Sequence, residues 1–475
     1  MPFKLNPNPV TLIKSISGIR GTIGGKPSET LSPIDVVKYT AAFGSFLRKS
    51  NPQKNTIVIG RDARISGEMI SGLVTNTLIA QGFEVIDLGL STTPTVEVAV
   101  PKENAAGGII LTASHNPIQW NALKLLNEVG EFISAEDAKL LLSIADQEDF
   151  QFEDVKKLGS YRKDDTHLQK HIEDIKNLAL VDVDAIKKAD FSIVVDGINS
   201  SGAFAIPELL RALGVTSIKV LNEEPNGHFA HNPEPLAKHL THISNEMEKG
   251  DFDLGIVVDP DVDRLAFVNE NGELFGEEYT LVAVADYILS KTPKGAKTVS
   301  NLSSTLALKD ITEKHGGEYF ASAVGEVNVV NKMKEVGAVI GGEGNGGIIY
   351  PELHYGRDAL VGVALFLSHL AHFNKPVGFL RKTYPNYFIA KKKIDLDPSM
   401  DVDHILEQIT VKYKKYPIDL QDGIKILFEK EWVQLRKSNT EPIVRIYAES
   451  EFETTADNLA DKIISDIKEI VNKTA

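Results

Sequence analysis

One sequence pattern, a strand followed by a glycine-containing loop, a helix and a second strand, occurs three times along the chain. It begins with "TIVIG" at residue 56, "FSIVVDG" at residue 191 and "KTVSN" at residue 297. The apolar runs are rich in β-branched residues and continue without polar alternation, which is typical of strands that are covered on both faces. Because strands alternate with helices, the pattern predicts parallel or mixed α/β layers, and its recurrence suggests duplicated domains.

The last part of the chain follows a different pattern. The segments "GIKILFEKEWVQLRKS" and "PIVRIYAES" alternate as strands do, and "TTADNLADKIISDIKEIV" predicts an amphipathic helix. These features predict a smaller α+β domain with an antiparallel sheet from about residue 385. The charged segment 151–177 predicts a solvated helix that joins the first and second repeats.

Composition limits the classes of partner. The chain carries 66 acidic and 51 basic residues, and its net charge of −15 disfavours nucleic acid as the main partner. The apolar runs are too short to span a bilayer, and we expect no signal peptide. The absence of cysteine excludes disulfides and thiolate chemistry and fits a reducing compartment. We therefore expect a cytoplasmic enzyme that binds neither membranes nor nucleic acid.

The segment "TASHNP" (112–117) follows the apolar run "GGIIL" and ends a predicted strand on polar residues. Ser, Asn and Pro are ordinary turn formers, and Ser114 could equally cap a helix. The alternative is that Ser114 is a nucleophile, which needs a base or a prior activation. The segment alone leaves both interpretations open.

Three carboxylates crowd the loop after "LGIVV", in the segment "DPDVDR": Asp259, Asp261 and Asp263. Unneutralised, they would repel one another and raise one another's pKa, which a hard divalent cation such as Mg²⁺ relieves. A calcium EF-hand loop begins similarly, but its sixth position should be glycine and here is Arg264. A merely solvated acidic loop is the remaining alternative.

Two further motifs predict ligand contacts. In "GEGNGG" a strand ends among glycines that allow close backbone approach, and Glu343 and Asn345 could hydrogen-bond sugar hydroxyls. In "RKSNTEPIVR" two planar guanidinium groups and three small donors surround one turn, which suits phosphate oxygens. These residues are Arg436, Ser438, Asn439, Thr440 and Arg445. An ordinary glycine-rich turn and an ordinary hairpin with surface charges are the alternatives.

In this order, the motifs "SGIRG", "TASHNP", "DPDVDR", "GEGNGG" and "RKSNTEPIVR" resemble those of the α-D-phosphohexomutase family, and the resemblance covers the whole chain. That family includes phosphoglucomutase, phosphomannomutase and phosphoglucosamine mutase. The resemblance implies an α/β fold of three similar domains with mixed sheets plus a C-terminal α+β domain, arranged around a central cleft. We predict the domains at residues 1–165 (phosphoserine), 166–270 (metal), 271–384 (sugar) and 385–475 (phosphate).

The resemblance also implies the reaction. Phospho-Ser114 donates its phosphoryl group to a hexose monophosphate, and the resulting 1,6-bisphosphate reorients and returns its other phosphate to the serine. Hexose 1,6-bisphosphate would act as an activator. The three aspartates and an oxygen on Ser114 would hold Mg²⁺. Glu343 and Asn345 would grip sugar hydroxyls, and the non-reacting phosphate would be held by Arg436, Ser438, Asn439 and Thr440.

Four further residues receive roles from the resemblance. Arg20 and Lys124 match active-site positions and would stabilise charge or take part in proton transfer, the lysine with a pKa lowered by neighbouring cations. His115 would shape the serine loop, and Arg264 would lie near the reaction. Small-molecule sugar phosphates are the expected partners, and the chain is expected to be a monomer or a homodimer.

The chain departs from the family pattern at the sugar loop. Many members carry a histidine where Gly347 stands and a serine where Asn345 stands, so the histidine's proton-transfer role is absent or has moved. His354 is one substitute, and an ordinary surface histidine is the other interpretation. Glu326 lies where some relatives have a specificity-loop histidine, and its carboxylate would suit the cation of an amino sugar. We therefore expect phosphoglucosamine mutase, with a broad phosphomannomutase/phosphoglucomutase as the alternative.

Two alternatives come from other classes of protein. The segment "GIVVDPDVD" resembles the haloacid-dehalogenase motif, in which Asp259 would be the nucleophile of a phosphatase or mutase. That interpretation leaves "TASHNP" and "RKSNTEP" unexplained. A sugar-phosphate-binding regulator with a dead site would lack Ser114 or a metal aspartate, and both are present.

Overall fold

A computed structural model describes residues 10–16, 18–395, 401–437 and 443–474. The chain divides into a first unit, Met1–Thr280 with Gly347–Gly378, and a second unit, Leu281–Gly346 with Phe379–Ala475. Within the described part of the chain, no helix is both long and apolar enough to cross a membrane.

The first sheet of the first unit is mixed and has seven strands in the order β1-β2-β6-β5-β3-β4-β7. Its strands are β1 (Ile13–Ser15), β2 (Gly18–Thr22), β3 (Thr56–Arg61), β4 (Glu84–Leu90), β5 (Gly107–Leu111), β6 (Trp120–Leu126) and β7 (Ser160–Lys163). Its helices are α1 (Pro33–Ser50), α2 (Gly67–Ala80), α3 (Thr93–Lys102), α4 (Ala135–Gln147) and α5 (His167–Lys176). Strands β3, β4, β5 and β7 run parallel, and the hairpin β1–β2 joins antiparallel to β6.

The segment 151–177 differs from its prediction. Its strand β7 pairs with β4 at the edge of the first sheet. A short 3-10 helix (Val155–Lys157) precedes this strand, and the α-helix α5 begins only at His167. Helix α5 is not simply solvated, because it buries His167, His171, Ile172 and Ile175. An edge strand that is bonded through its backbone can remain polar, so the sequence pattern carries little signal for it.

The second sheet is also mixed, with four strands in the order β11-β10-β8-β9. They are β8 (Ser192–Asp196), β9 (Ser217–Leu221), β10 (Leu254–Val258) and β11 (Leu265–Val268), with helices α6 (Val183–Ala189), α7 (Gly202–Ala212) and α8 (Thr241–Lys249). Strands β8, β9 and β10 are parallel, and β11 is antiparallel to β10. The segment "DPDVDR" thus connects β10, which is buried along its whole length, to the antiparallel strand β11.

The third repeat lies in the second unit, after α9 (Glu277–Lys291). It forms the parallel strands β12 (Lys297–Asn301), β13 (Glu318–Ser322) and β14 (Ile340–Glu343), with α10 (Ala307–Lys314) and α11 (Glu326–Val336). All three predicted repeats are therefore confirmed as strand, helix and strand. The chain then contributes β15 (Gly347–Ile349) and α12 (Ala359–Phe373) to the first unit, and α13 (Val377–Arg381) follows.

The C-terminal sheet of the second unit is antiparallel, as predicted, in the order β16-β20-β19-β18-β17. Its strands are β16 (Phe388–Asp395), β17 (Ile418–Asp419), β18 (Ile424–Leu427), β19 (Trp432–Lys437) and β20 (Ile443–Ser450), with α14 (Val402–Tyr413) and α15 (Glu453–Thr474). One apolar core joins these strands to both helices. The four predicted domain boundaries stay a prediction.

A buried carboxyl in this sheet gives the second unit a pH-dependent stability. Glu449 is fully buried, and its Oε1 accepts hydrogen bonds from the backbone N–H of Leu306 and from Trp432 Nε1, each at 2.8 Å. Burial raises the pKa of Glu449 to about 7. Because the folded state holds this proton more tightly than the unfolded state does, stability is greatest at low pH and falls as the pH rises from 4.5 to about 7.

We expect Glu449→Gln to remove this loss, which amounts to about 3 kcal/mol of unfolding free energy. The amide oxygen can still accept the Trp432 bond and carries no charge. Urea unfolding at pH 5 and pH 8, followed by Trp432 fluorescence with Trp120 replaced by Phe, measures the difference. The exposed Glu451→Gln is the matched control. An unchanged pH dependence in Glu449→Gln would show that another group causes it.

Candidate active site

Ser114 lies in the loop between β5 and β6, with a left-handed φ of +47° and a nearly buried side chain. Its Oγ is 2.6 Å from Asp259 Oδ2 and 3.4 Å from His115 Nδ1. A strand follows the loop, so the helix-cap interpretation is wrong. A non-glycine residue at positive φ is uncommon, and such strained positions cluster at functional sites.

Arg64, which the sequence analysis missed, holds the serine loop in shape. Its guanidinium donates hydrogen bonds to four carbonyl oxygens of the loop region at 2.5–2.9 Å, those of Ser114, Asn116, Pro117 and Trp120. Asp62 in turn accepts from Arg64 Nε at 3.1 Å and from Thr112 Oγ1 at 2.6 Å. Burial raises the pKa of Asp62, and the charge of Arg64 opposes that rise. In the sequence, the only indication of this ion pair is that Asp62 and Arg64 stand together in the segment "GRDAR".

We expect Arg64→Lys to disrupt the loop, because a lysine amine cannot reproduce a planar fork that bonds four carbonyls. Leaving Asp62 poorly paired in a buried site should cost about 3–5 kcal/mol of unfolding free energy, and kcat should fall with it. Arg61→Lys, whose side chain pairs with the exposed Glu68, is the matched control. Unfolding curves and initial rates test this, and wild-type values in Arg64→Lys would contradict the loop's dependence on the guanidinium.

The loop after β10 gathers the three predicted metal carboxylates in the first unit. Asp259, Asp261 and Asp263 are all at most 1% exposed, and one oxygen from each lies within 4.8 Å of the others. Val262 between them adopts a φ of +63°, which is strained for a β-branched residue. Strand β11 follows where an EF-hand would begin a helix, so the EF-hand interpretation is wrong. The burial likewise excludes a merely solvated acidic loop.

These carboxylates fit a divalent cation. Burial, together with the charges of Asp261 and Asp263, raises the pKa of Asp259 well above its usual range. Asp261 Oδ1 and Asp263 Oδ1 are buried and have no hydrogen-bond partner among the residues that the structure describes. Buried carboxylate oxygens without donors require compensation, and hard oxygen ligands are the set that Mg²⁺ prefers.

Two cations lie closest to these carboxylates. Lys124 Nζ on β6 lies 2.7 Å from Asp261 Oδ2 and 3.3 Å from Asp263 Oδ2, and Arg357 Nη2 donates to Asp263 Oδ2 at 2.7 Å. Burial alone would lower the pKa of Lys124, but the two aspartates raise it above its usual range. The predicted lowering of this pKa is therefore wrong. Arg357 follows a glycine in a loop, and nothing in the sequence marked it as a site residue.

Further positive charge surrounds the serine loop. Burial lowers the pKa of His115 to about 2, and the charges of Arg264, Arg357 and Arg20 contribute. Burial and the charge of Arg264 likewise lower the pKa of Arg20. The structure thus brings the predicted residues Arg20, His115 and Arg264 into one electrostatic environment. Such a group of cations favours a multiply charged anion such as a phosphate.

The hairpin that carries Arg20 depends on Gly18. Arg20 lies on β2 opposite Ala122 of β6. A Cβ atom on Gly18 would come within 2.3 Å of Leu123 O, and its φ of +106° is also unfavourable for other residues. The glycine therefore allows β2 to approach the strand that carries Lys124.

The predicted sugar-loop residues lie in the second unit. Glu343 ends β14, and its Oε1 accepts from Asn301 Nδ2 at 2.8 Å and from the backbone N–H of Gly325 at 3.1 Å. Asn345 Nδ2 lies 3.5 Å from Glu343 Oε2. Glu326 follows Gly325 as the first residue of α11 and is 9% exposed. Glu343, Asn345 and Asn301 thus form one polar cluster, and Asn301 did not stand out in the sequence.

The two predicted phosphate arginines also lie in the second unit. Arg436 on β19 pairs directly with Arg445 on β20, and Arg436 Nε is 2.8 Å from Asp422 Oδ2. Like charges directly opposite on adjacent strands are destabilising, and an anion bound between them would relieve this. Ser438, Asn439 and Thr440 lie outside the described residues.

Comparison with known proteins agrees with this architecture. Sequence profiles of the phosphoglucomutase/phosphomannomutase family match all four of its domains, at residues 12–152 for domain I, 169–272 for domain II, 276–387 for domain III and 393–465 for the C-terminal domain. A phosphoglucomutase/phosphomannomutase of Thermococcus kodakarensis is 36% identical over 92% of this chain and 95% of its own length. A phosphoglucosamine/phosphogalactosamine mutase of Sulfurisphaera tokodaii is 31% identical over 96% of this chain and 98% of its own.

Solved structures share the fold. A phosphoglucomutase/phosphomannomutase family protein of Burkholderia thailandensis has a TM-score of 0.81 at 24% identity, covering 97% of this chain and 98% of its own. An N-acetylphosphoglucosamine mutase of Aspergillus fumigatus, solved with GlcNAc-6P and magnesium, has a TM-score of 0.59 at 15% identity, covering 97% of this chain and 96% of its own.

The four-domain α/β architecture and the family matches define an enzyme that transfers a phosphoryl group. The chain belongs to the phosphoglucomutase/phosphomannomutase family. It is an isomerase that transfers phosphate within a hexose phosphate, so the prediction of an enzyme rather than a regulator is confirmed.

Proposed function

We propose that the chain interconverts the 6-phosphate and the 1-phosphate of glucosamine through phospho-Ser114 and a 1,6-bisphosphate intermediate. The observation that carries the phosphoserine role is the position of Ser114 Oγ, buried and 2.6 Å from Asp259 Oδ2. The cations Arg20, Arg264 and Arg357 supply positive charge around this loop. Preorganised charge of this kind stabilises the oxygens of a transferring phosphoryl group.

The transfer step conserves its atoms without an additional reactant. A sugar hydroxyl oxygen forms a new bond to phosphorus while the bond from phosphorus to Ser114 Oγ breaks. In net terms, the hydroxyl proton passes to the Ser114 oxygen. Reversal of the step with the second phosphate of the bisphosphate regenerates the phosphoserine. Hexose 1,6-bisphosphate therefore acts as the activator of enzyme that has lost its phosphate.

Asp259, Asp261 and Asp263, with an oxygen of phospho-Ser114, would hold Mg²⁺. A bound Mg²⁺ supplies Lewis-acid stabilisation of negative charge on the phosphoryl oxygens. Lys124 and Arg357 orient two of the three carboxylates through their ion pairs. Thr93 Oγ1 also donates to Asp261 Oδ2 at 2.6 Å and limits its rotation.

Two carboxylates in the second unit support an amino sugar as the substrate. The backbone N–H of Gly325 donates to Glu343, and Glu326 is the next residue along the chain. A carboxylate beside the substrate favours the ammonium of glucosamine over a neutral hydroxyl. The relative from Sulfurisphaera tokodaii carries an amino-sugar mutase name, whereas that from Thermococcus kodakarensis carries the glucose and mannose name. A broad phosphomannomutase/phosphoglucomutase is therefore the second candidate.

Substrate preference is tested with purified enzyme, Mg²⁺ and a trace of hexose 1,6-bisphosphate. We expect kcat/KM for glucosamine 1-phosphate to exceed the values for glucose and mannose 1-phosphates. Glu326→Gln should lower kcat/KM for glucosamine 1-phosphate more than it lowers kcat/KM for glucose 1-phosphate, so the preference should decrease. Equal values for all three sugars would favour the broad enzyme, and an unchanged preference in Glu326→Gln would remove that residue from substrate selection.

Arg436→Ala tests the proposed phosphate-binding site. We expect mainly a rise in KM, by about 10- to 100-fold, because one charged hydrogen bond to a non-reacting phosphate contributes about 1.5–3 kcal/mol to ground-state and transition-state binding alike. Lys437→Ala, an exposed cation on the same strand, is the matched control. A pure loss of kcat in Arg436→Ala would contradict a binding role.

A further inference from the structure

A second cluster of potential metal ligands lies in the first unit, among residues to which the proposed reaction gives no role. It contains His171 of α5, Asp358, which caps the N-terminus of α12, and His354 just before that cap. His171 and Asp358 are fully buried, and the His354 side chain is 13% exposed. His354 is therefore not an ordinary surface histidine.

Both histidines face one oxygen of Asp358. His171 Nε2 lies 3.0 Å and His354 Nε2 3.4 Å from the same oxygen, Asp358 Oδ2. Zinc bonds of about 2.0–2.2 Å to imidazole nitrogen and carboxylate oxygen place tetrahedral ligand atoms about 3.3 Å apart. The observed separations are close to that value, so small adjustments would suffice to enclose a cation.

The second ring nitrogen of each histidine, Nδ1, also faces an oxygen atom. His171 Nδ1 lies 3.1 Å from Thr95 Oγ1, and His354 Nδ1 lies 3.5 Å from Glu97 Oε2. Metal-bound histidines typically donate their other ring N–H to an acceptor, which leaves the inner nitrogen free to bind the metal. Thr95 is in hydrogen-bond contact with His171, whereas Glu97 lies only at ion-pair distance from His354. The second oxygen of Asp358 accepts the backbone N–H groups of Leu360 and Val361. Only Oδ2 therefore points toward the histidines.

The charge balance distinguishes this cluster from an ordinary ion-pair network. A second group, Glu103, Asp164 and His167, also has metal-like spacing, but Arg162 and Lys170 already neutralise its carboxylates. For Asp358, the ion-pair partners among the described residues are His171 and His354 alone. Each Nε2 that faces this carboxylate must either donate a ring N–H to it or share a bound cation with it.

We propose that His171, His354 and Asp358 form a second metal site, which takes a borderline-soft divalent cation of the Zn²⁺ class. Two imidazoles and one carboxylate suit Zn²⁺, whereas Mg²⁺ prefers the all-oxygen aspartate loop. Water would complete the coordination through the exposed edge of His354. The ion would join α5 to the start of α12 and so fix the backbone next to Arg357, whose guanidinium contacts Asp263.

Cobalt(II) is a suitable probe, because low-coordinate Co²⁺ with nitrogen ligands absorbs visible light far more strongly than octahedral all-oxygen Co²⁺. The full-length enzyme is stripped of metal, saturated with Mg²⁺ to occupy the aspartate loop, and titrated with Co²⁺ at pH 8. We expect one equivalent to bind with an intense visible band, and one equivalent of Zn²⁺ to displace it.

Four variants assign the band. His354→Ala should weaken Co²⁺ affinity by at least about 100-fold, and Thr95→Val, which removes only an orienting hydroxyl, by about 10- to 100-fold. The exposed His372→Ala and the aspartate-loop variant Asp261→Asn should retain the band. His354 is partly exposed, so its variant should keep the fold, which circular dichroism checks. Absence of the band, or its retention in His354→Ala, would overturn the site and leave two histidines that contact Asp358 without a metal.

Discussion

Replacing Ser114 with alanine is expected to abolish turnover, lowering kcat/KM at least about 10⁴-fold, as the loss of a covalent nucleophile does elsewhere. Alanine keeps the small side chain that the loop accommodates and removes only the oxygen that lies 2.6 Å from Asp259. Circular dichroism and unfolding curves should stay close to those of the wild type.

Ser143→Ala, which changes an exposed serine on α4, is the matched control and should retain full activity. Rates are measured with a saturating trace of hexose 1,6-bisphosphate, so that priming does not limit them. Retained mutase activity in Ser114→Ala would overturn the assignment of the nucleophile while leaving the family membership intact.

Asp261→Asn carries the second-largest expected effect. The substitution removes one charge from the carboxylate cluster and weakens the pairing with Lys124. Because a bound metal contributes several kcal/mol of charge stabilisation, we expect kcat to fall about 10²- to 10³-fold. The Mg²⁺ concentration for half-maximal activity should rise together with that loss. Initial rates over a Mg²⁺ series give both quantities.

The exposed Asp146→Asn changes the same net charge far from the loop and should reproduce the wild-type Mg²⁺ series. Chelation of the metal should reduce the wild-type enzyme toward the rate of Asp261→Asn. A variant that retains the wild-type rate and Mg²⁺ dependence would contradict the metal-binding role of this aspartate.

The elements with strong local periodicity could be predicted from the sequence. The runs that became β3, β8 and β12 are followed by amphipathic helices, and each was predicted with its following strand. Strand β7 could not be predicted, because its four residues are mostly exposed and its pairing with β4 joins distant parts of the chain. Helix α5 was misjudged because its buried face includes two histidines, which count as polar in a hydrophobic pattern.

At the site, too, residues in compact sequence motifs could be predicted, whereas residues that act through distant partners could not. Ser114 and the three metal aspartates stand in compact motifs, so the sequence identified them as candidates. Arg64 and Arg357 did not stand out, because an arginine in sequence is usually a surface charge. Their roles depend on partners far along the chain, the carbonyls near Ser114 for one and Asp263 for the other.

Identification of the phosphorylated residue is the most direct test of the phosphoserine mechanism. The enzyme is incubated with hexose 1,6-bisphosphate labelled in its phosphate, then digested, and the labelled peptide is sequenced by mass spectrometry. We expect one acid-stable, hydroxylamine-resistant phosphate on Ser114 that passes to hexose monophosphate when substrate is added. A hydroxylamine-labile acyl phosphate on Asp259, or full turnover with no phosphate on Ser114, would contradict the phosphoserine mechanism.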